Sequence, residues 1–425
     1  MKKKKVIAIV FSIIAALIVL PIAFYATLVI IPVNAKRPAH IDNANGYVQA
    51  SGRNLYDGEG NILQLKGFNL GDWFDQEWWM ASSTVKGFET GVYTPKRGLA
   101  AMKANPNLND SQIDELQKIY IDTFIQEVDF ENIKDMNVNA VRIPFTCYNL
   151  TTDGYTYREN AFDKLDWVVD MCDKYGLYAI IDYHGAIGSQ NNDNHSGADD
   201  EWNLYGNEKN ENATIDVWKK LAERYKDRKI VAGYDLLNEP RRAANKYSGK
   251  LNFDFYDKLY DAVREIDTNH MIIMECFTFP IHGVNAKHYG WENVSYSYHI
   301  YNRTSINSQK LILDFYKALT NLMGYDVPII IGEWSCWGEA DKWKTSFKMF
   351  DKWNWSHISW TYKTNKYVYT HNKSGNLWSP YTIDVKPVNL YTATYDEIKE
   401  TYLMTGTENA STTVIYDAYM EMYGK

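Results

Sequence analysis

The sequence predicts one large α/β domain folded as an eight-stranded (β/α)8 barrel, the TIM-barrel architecture. Short β-branched or aromatic runs alternate with amphipathic segments, which is typical of βα units around a parallel sheet. Eight such runs fit within the 425-residue chain, and several are continuously apolar, as expected of strands buried on both faces. An open doubly wound sheet would show fewer strands and a glycine-rich phosphate turn after the first strand, and the turn at 67–71 is not that motif.

The strands predicted from these runs follow one another at intervals that leave room for helices. The run at 328–331 reads Pro-Ile-Ile-Ile and shows the apolar pattern of a central strand most clearly. The eight predicted strands are Ile62–Asn69, Asn139–Phe145, Leu177–His184, Val231–Asn238, Met271–Phe277, Val294–Tyr301, Pro328–Glu333 and His357–Tyr362.

Amphipathic helices are predicted between the strands. Ala161–Tyr175 carries an apolar stripe and stops before Gly176, a residue suited to a helix C-terminus. Thr214–Arg228 opens with a threonine that can cap a helix. The same periodicity predicts helices at Phe253–Ile266, Gln309–Met323 and Asp341–Trp353.

Two long segments exceed this frame. Asp72–Asp110 is an insertion after the first strand, and Lys363–Asn389 is a loop after the last strand. Both leave from the carboxyl ends of strands, the face on which barrel enzymes build their sites. Because the first and eighth strands are neighbours in a closed barrel, we expect these segments to wall one end of the site. A site walled at one end would favour exo or short-range action, that is, attack at or near the end of a chain-like substrate.

The N-terminal 35 residues are predicted to anchor the protein in a membrane. Lys2–Lys5 precede Val6–Val33, a run without charges that exceeds the roughly 20 residues needed to cross a bilayer. The lysines predict a cytoplasmic N-terminus and an outward-facing catalytic domain at 36–425. A cleaved signal peptide, which would release the domain, is the alternative, although the apolar run is longer than such peptides usually carry.

Composition narrows the class of partner. The net charge of −8 and the absence of a basic stripe argue against binding to nucleic acid. Aromatic residues make up 15% of the chain, and their flat faces suit stacking on sugar rings or a large aromatic core. The four cysteines match no metal or redox spacing and are expected to be buried thiols. We expect a monomer without a cofactor.

Polar residues gather where the predicted strands end. Because all carboxyl ends of a barrel's strands converge on one face, these residues are expected to meet there. Glu239 closes the fourth strand and Glu333 the seventh. A carboxylic acid that protonates the leaving oxygen, with a second carboxylate as nucleophile or base, is what glycoside hydrolysis requires. The other strand-end residues are Arg142, His184, Asn238, His299, Tyr301 and Trp360.

At these residues the chain resembles glycoside hydrolase family 5. Asn238-Glu239-Pro240 is similar to the family's acid/base motif, and Ile331-Gly332-Glu333-Trp334-Ser335 is similar to its nucleophile motif. The other strand-end residues match the family's active-site positions in the expected order. The motifs at 67–73, 184–191 and 360–364 resemble the exo-β-1,3-glucanase branch, although Ile187 stands where that branch usually has proline.

The chemistry and the resemblance together imply a role for each residue. Glu333 is expected to be the nucleophile, placed by Arg142 and Tyr301. Glu239 is expected to be the acid and then the base, with a pKa raised by the like charge of Glu333. Asn238 is expected to bind the sugar 2-hydroxyl.

The remaining site residues are expected to support this pair. His184 and His299 are predicted to bind hydroxyls or orient the acid, and Trp360 to form the floor beneath the cleaved bond. The resemblance implies a retaining mechanism, which requires carboxyl groups about 5–5.5 Å apart, whereas an inverting pair stands at roughly 6.5–9.5 Å.

The sequence leaves several alternatives open. The substrate is expected to be extracellular β-glucan, with β-1,4-glucan, mannan, a glycolipid head group or a non-catalytic glycan-binding role as alternatives. A structural Ca²⁺ on Asp193, Asp199 or Asp200 is a further possibility, whereas no catalytic metal is expected. The loop tryptophans could stack on sugar or pack in loops; they are Trp73, Trp78, Trp79, Trp337 and Trp378.

Overall fold

The computed structural model describes residues 40–85, 93–198, 200–241, 250–276, 280, 283, 285–302, 306–367, 370 and 378–424. Eight parallel strands close into a barrel in which each strand pairs with its neighbours in chain order, so the predicted (β/α)8 fold is confirmed. The barrel strands are β1 Lys66–Asn69, β2 Ala140–Thr146, β3 Tyr178–Gly185, β4 Val231–Asp235, β5 Met271–Glu275, β6 Val294–Tyr301, β7 Ile329–Ser335 and β8 Ser356–Ser359.

Helices surround the barrel. Asn109 and Gln112 form a capping box at the start of α2, and Gly176 ends α5 in the left-handed conformation that the sequence predicted. The helices are α1 Pro95–Ala104, α2 Asp110–Phe124, α3 Glu127–Asp135, α4 Cys147–Leu150, α5 Asp163–Tyr175, α6 Glu208–Tyr225, α7 Lys250–Arg264, α8 Ala286–Tyr289, α9 Ile306–Met323, α10 Ala340–Trp353, α11 Tyr395–Leu403 and α12 Val414–Met422.

Several predicted boundaries differ from the structure, and three of them have a clear physical reason or consequence. The run at 62–69 is divided, because Ile62–Leu63 pairs antiparallel with Asn54–Tyr56 and only the rest enters the barrel. In the run at 357–362, the barrel strand already ends at Ser359. Helix α6 begins at Glu208 rather than at Thr214, because its first turns carry few apolar residues and so lie outside the apolar periodicity.

The interior of the barrel is separate from the core beneath the helices. A cluster of small and aliphatic side chains fills the barrel, including Ala140, Ile180 and Ile330. Val48 and Leu55, from the hairpin before β1, belong to the same cluster. The amino-terminal end of the barrel is therefore filled with apolar side chains, which leaves the carboxyl end for polar residues.

The two long segments meet on the catalytic face, as the sequence predicted. Ser83–Thr84 of the insertion pairs in parallel with Val388–Asn389 of the loop. Trp79 and Trp378 also contact each other, with ring centroids 4.4 Å apart. The described parts of the insertion and of the loop are therefore joined through these two contacts.

The predicted membrane anchor lies outside the described residues. Among the residues that the structure does describe, no helix has both the length and the apolar character needed to cross a bilayer. The four cysteines, at 147, 172, 276 and 336, are buried free thiols, which confirms their predicted state.

Candidate active site

The strand-end residues predicted from the sequence come together at one end of the barrel. His184, Tyr301 and Glu333 lie within the carboxyl halves of their strands, and Arg142 lies within the first half of β2. The remaining predicted residues lie on the same strands or just beyond a strand end; they are Asn238, Glu239, His299 and Trp360. The barrel thus brings residues from four of its eight strands and from the exits of two others into one cluster.

Two neighbours hold the carboxylate of Glu333. The Nη1 of Arg142 donates to its Oε1 at 3.0 Å, and the hydroxyl of Tyr301 donates to its Oε2 at 2.6 Å. Glu333 is 5% exposed, so little water competes for these oxygens. The contacts expected for a nucleophile, with Arg142 and Tyr301, are both present.

Glu239 lies in a strained bend beyond the end of β4, after residues 236–238. Its φ of 41° is in the left-handed region, which is uncommon for a residue other than glycine. The Nδ1 of His299 is 2.7 Å from its Oε1, and the Nε2 of His195 is 3.3 Å from its Oε2. Each carboxylate oxygen therefore faces an imidazole.

The two glutamates share one histidine. The Nδ1 of His299 lies 2.7 Å from Glu239 and 3.3 Å from Oε2 of Glu333. One oxygen of each glutamate and one ring nitrogen of His299 all lie within 4.8 Å of one another. One oxygen of Glu239 and one oxygen of Glu333 therefore lie within 4.8 Å of each other across the barrel mouth.

The pKa expected for Glu239 is wrong in direction. Burial acts to raise the pKa of Glu239, but the positive charge of His195 and the hydrogen bond and charge of His299 outweigh it and hold that pKa well below its ordinary value. The like charge of Glu333, on which the expectation rested, is not among the main causes. The lowered pKa favours the ionised form of Glu239.

Arg142 is the centre of a buried charge cluster. Its guanidinium contacts Glu333 and three further carboxylates at 2.9–3.1 Å, and its side chain is 1% exposed. Burial raises the pKa of Asp182 to about 8 and the pKa values of Asp235 and Glu275 to about 7, against the opposing charge of Arg142. One cation among four acids explains why burial prevails.

His184 supports the site from behind. Its Nδ1 is 2.6 Å from Asp182, and its Nε2 is 3.2 Å from the side-chain amide of Asn238. Burial lowers the pKa of His184 well below its ordinary value, so the ring is neutral. Trp360 stacks on this ring, with centroids 5.3 Å apart and planes 18° apart. His184 thus positions Asn238 and Trp360, whereas His299 contacts the acid.

Asn238 is held so that its amide faces the site in a fixed orientation. Its Oδ1 accepts from Nη2 of Arg142 at 3.0 Å, while its Nδ2 faces His184. Trp360 is 2% exposed. The predicted place of Trp360 beneath the cleaved bond, and the predicted contact of Asn238 with the sugar, stay predictions.

Sequence reasoning missed several residues of the site. Glu275 ends β5 after the apolar run Met271–Met274, which is the same signal that identified Glu333, and it could have been found that way. His195 and Glu77 lie on loops with no periodic signal, yet both are coupled to Glu239. Burial raises the pKa of Glu77 to about 7, with the charge of His195 opposing the rise.

Asp75 also escaped sequence reasoning. It is fully buried beside His184, with Oδ2 3.6 Å from Nε2. Burial raises the pKa of Asp75 well above its ordinary value, and the charges of Glu77 and Asp182 add to the rise. A neutral Asp75 is consistent with its position among so many acids.

The loop tryptophans divide into two groups. Trp73 packs in the core, where its Nε1 donates to the carbonyl of Ile121, so it does not face sugar. Trp337 and Trp378 contact each other and Tyr301, with ring centroids 4.7–6.4 Å apart. These two rings, with Trp79, form an aromatic wall next to the Tyr301 hydroxyl that binds Glu333. Trp78 packs partly buried against the core.

The donor atoms at this site are engaged with protein partners. Glu239, His299 and Glu333 are the only cluster of three or more potential metal donors among the described residues. The carboxylate oxygens of Glu333 and Glu239 already contact Tyr301, Arg142, His299 and His195, as expected of an acid–base centre. Of the acids considered for Ca²⁺, Asp193 pairs with Arg241 and Asp200 with Lys96, while position 199 lies outside the described residues.

Comparison with known proteins agrees with the family resemblance found in the sequence. The family model described as "Cellulase (glycosyl hydrolase family 5)" matches residues 101–367. A β-xylosidase of Phanerodontia chrysosporium is 29% identical over 60% of this chain and 52% of its own length. A probable glucan 1,3-β-glucosidase A of Neosartorya fischeri is 28% identical over 64% of this chain and 65% of its own length. The chain therefore spans about half to two thirds of these relatives.

Solved structures share the fold. A rutinosidase from Aspergillus niger superposes with a TM-score of 0.57 at 16% identity, covering 80% of this chain and 98% of its own. An endogalactoceramidase gives a TM-score of 0.55 at 16% identity, covering 75% of each chain. With a family model that matches more than half of the sequence and a barrel that carries two facing glutamates, the chain belongs to glycoside hydrolase family 5.

Proposed function

We propose that this protein is a retaining β-glycosidase that acts on β-glucan, with β-1,3-linked glucan as the preferred substrate. The proximity of Glu239 and Glu333, whose oxygens lie within 4.8 Å around His299, carries the mechanistic part of the proposal. A retaining pair stands at about 5–5.5 Å and needs no water between the acids before the first step. The named glucan 1,3-β-glucosidases among the relatives support the linkage.

The residues act in two steps. Glu333, held by Arg142 and Tyr301, attacks the anomeric carbon and forms a covalent glycosyl–enzyme, while Glu239 protonates the departing oxygen. Glu239 then removes a proton from water, which attacks the same carbon and releases the sugar with its original configuration. Asn238 hydrogen-bonds the 2-hydroxyl, a contact that strengthens in the transition state.

The wall of the site supports exo or short-range action. The insertion and the loop after β8 meet through Trp79 and Trp378, and this junction lies beside Tyr301. A site closed at one end accepts the end of a chain rather than its middle. Short products, one or two sugars long, are therefore expected.

The test is a substrate panel with product analysis. β-1,3-, β-1,4-, β-1,6- and mixed-linkage glucans, mannan and a glycosylceramide are incubated with the protein, and products are sized. Proton NMR of the first product reports the anomeric configuration. Fastest release of short β-configured products from β-1,3-glucan is expected. An α-configured first product would overturn retention, and cleavage of another substrate alone would overturn the linkage.

A different β-linked substrate is the second candidate. One relative is named a β-xylosidase and one structural neighbour an endogalactoceramidase. The same substrate panel decides between these classes. A purely glycan-binding role is disfavoured, since a binding module has no need of two facing glutamates held by Arg142, Tyr301 and His299.

We also propose that residues 1–35 anchor the enzyme in the cell membrane with the barrel outside. The four lysines at positions 2–5 and the uncharged run that follows support this topology. An outward-facing barrel would reach polymeric glucan that cannot enter the cell. A cleaved N-terminal segment would instead give a secreted enzyme acting on the same substrate.

A further inference from the structure

Glu275 joins three parts of the site. Its Oε2 accepts from the main-chain N–H of Glu239 at 2.6 Å. Its Oε1 lies 3.0 Å from Nη2 of Arg142 and 3.1 Å from Nε2 of His299. The side chain is 1% exposed, so water does not reach these contacts.

His299 lies between two carboxylates. Its Nδ1 faces Glu239 at 2.7 Å, and its Nε2 faces Glu275 at 3.1 Å. A neutral imidazole carries one N–H, whereas the protonated ring carries two and can serve both acids. A carboxylate at one nitrogen determines which nitrogen keeps its proton when the ring becomes neutral. Glu275 therefore determines that the proton on Nδ1 is the one that can leave.

We propose, building on the function proposed above, that Glu275 is a positioning residue for the acid/base, which it controls through its negative charge 3.1 Å from Nε2 of His299 and its hydrogen bond with the main-chain N–H of Glu239. The Nδ1–H bond of His299 breaks and an O–H bond forms on Oε1 of Glu239. The imidazole is left neutral with its remaining proton on Nε2, facing Glu275. Glu239 is then an acid at the moment that the leaving oxygen needs a proton.

The second half of the reaction restores the starting state. Glu239, ionised after it has protonated the leaving oxygen, takes a proton from the attacking water. That proton returns to Nδ1 of His299, so the pair ends with the number of protons with which it began. This proton relay between His299 and Glu239 involves no change in oxidation state and no additional reactant.

The backbone contact serves the same purpose. Glu239 has a φ of 41°, a conformation that its side chain does not favour. The hydrogen bond from its N–H to Glu275 holds this turn, and the turn aims the carboxylate at His299. Glu275 thus positions both the donor of the proton and its acceptor.

Other charged groups surround the relay and enter its pH dependence. The pKa of His299 is held well above its ordinary value: burial acts against this, and the charges of Glu275 and Glu333 prevail. The titratable and charged groups that face Glu275 or His299 are Arg142, Asp182, Asp235, Glu239, Tyr256 and Glu333.

The test variant is Glu275→Gln, which keeps the shape and removes the charge. Hydrolysis of phenyl β-glucoside, whose poor leaving group needs a proton, should fall about 10–100-fold in kcat/KM, within the range of general acid catalysis. Hydrolysis of 2,4-dinitrophenyl β-glucoside, which barely needs a proton, should fall less than about threefold. The basic limb of the pH profile for phenyl β-glucoside should move to lower pH by about one unit, since His299 loses a facing negative charge.

Asp235→Asn is the matched control. Asp235 is a buried acid on the same guanidinium, with Oδ2 2.9 Å from Nε of Arg142, and no hydrogen bond or ion pair to His299 is found among the described residues. If Glu275 only balances the charge of Arg142, the two variants should behave alike. Equal losses on both leaving groups in Glu275→Gln, or an unmoved basic limb, would overturn the proposal.

A measurement on the unaltered protein keeps the proposal testable if the variant does not fold. With ¹⁵N-labelled histidine, both ring nitrogens of His299 should be protonated at pH 7; the His299→Asn variant identifies its signals by their loss. A neutral His299 at pH 7 would overturn the proposal. This measurement does not depend on enzymatic activity. If the unaltered protein hydrolysed no β-glycoside, the proposed function would be contradicted, and the protonation of His299 would remain a separate test of the proton transfer.

Discussion

Glu333 is the residue whose loss should stop the reaction outright. Its two oxygens are fixed by Arg142 and Tyr301, and no other carboxylate at the mouth has this pair of partners among the described residues. Glu333→Ala should reduce kcat/KM at least about 10³-fold on good and poor leaving groups alike, because no nucleophile remains. Initial rates on the two aryl β-glucosides measure this. Retained activity on either substrate would show that the nucleophile is assigned to the wrong residue.

Glu239 should show a different pattern when it is removed. Glu239→Ala should lose roughly 10²–10⁴-fold on phenyl β-glucoside but much less on the dinitrophenyl substrate, in the range of a lost acid catalyst. Azide should then raise the rate on the dinitrophenyl substrate and yield a β-glycosyl azide, since a small anion fits where the carboxylate stood. An α-configured azide product, or no rescue on a substrate that still forms the glycosyl–enzyme, would contradict the assignment.

The buried acids make a pH-dependent contribution to stability. Burial raises the pKa of Asp235 to about 7, so the folded state binds a proton that the unfolded chain, with a pKa of about 4, does not hold. Stability from this group is complete below about pH 4 and is lost as the pH rises through about 7.

Asp235→Asn removes this titration and should flatten the pH dependence. In the window between about pH 4 and 7 the wild type should lose up to about 1.4 kcal/mol more per pH unit than the variant, the slope for one proton. Thermal or urea unfolding of both proteins at several pH values measures the difference. Parallel curves across the window would show that Asp235 is ionised in the folded protein.

At the residue scale, the sequence predicted which acids lie at the site better than it predicted their pKa values. Both glutamates could be found because an acid that ends an apolar run is conspicuous, and Glu275 shows the same signal. The pKa of Glu239 could not be predicted, because it depends on His195, a loop residue brought to Oε2 only by the fold. Asp75 was likewise invisible, since its burial is set by the path of the insertion.

At the scale of elements, the barrel strands were predictable because each is a short apolar run between breakers. Helix α6 began earlier than predicted because Asn207 and the polar first turns carry no apolar signal. The pairing of Ser83–Thr84 with Val388–Asn389 is a contact between segments about 300 residues apart in sequence. No local pattern encodes such a partner, although the neighbourhood of the first and last strands predicted that the two segments meet.

The aromatic wall gives the prediction that belongs to this scale. Trp378 contacts Trp79, Trp337 and Tyr301, so Trp378→Ala should open the closed end of the site. Products from β-1,3-glucan should become longer, and KM for a short oligosaccharide should rise about 5–10-fold, as expected for the loss of one stacked ring. Trp353→Ala is the control, because Trp353 is the last residue of helix α10 and packs on Trp355. Unchanged product sizes in Trp378→Ala would contradict a wall at this end.

At the scale of the whole molecule, stability and chemistry occupy opposite ends of one barrel. The hairpin before β1 contributes Val48 and Leu55 to the apolar filling of the barrel. The carboxyl end instead holds Arg142 among four acids, an arrangement that costs stability and serves the reaction. The domain can carry this cost because its core, beneath twelve described helices, is large.

The membrane topology is the prediction for the whole chain. If Lys2–Lys5 stay in the cytoplasm, the barrel is outside, and protease added to intact cells should remove glucanase activity from the membrane fraction while a cytoplasmic marker survives. A chain lacking residues 1–35 and carrying a cleavable signal peptide should appear in the medium with unchanged kcat/KM, because no described residue of the site lies near the start of the chain. Full protection of the domain in intact cells would reverse the topology, and with it the access to polymeric glucan on which the choice of substrate depends. Release into the medium of a product that lacks the N-terminal segment would instead show that this segment is cleaved, in which case the same barrel acts on the same polymer at a distance from the cell.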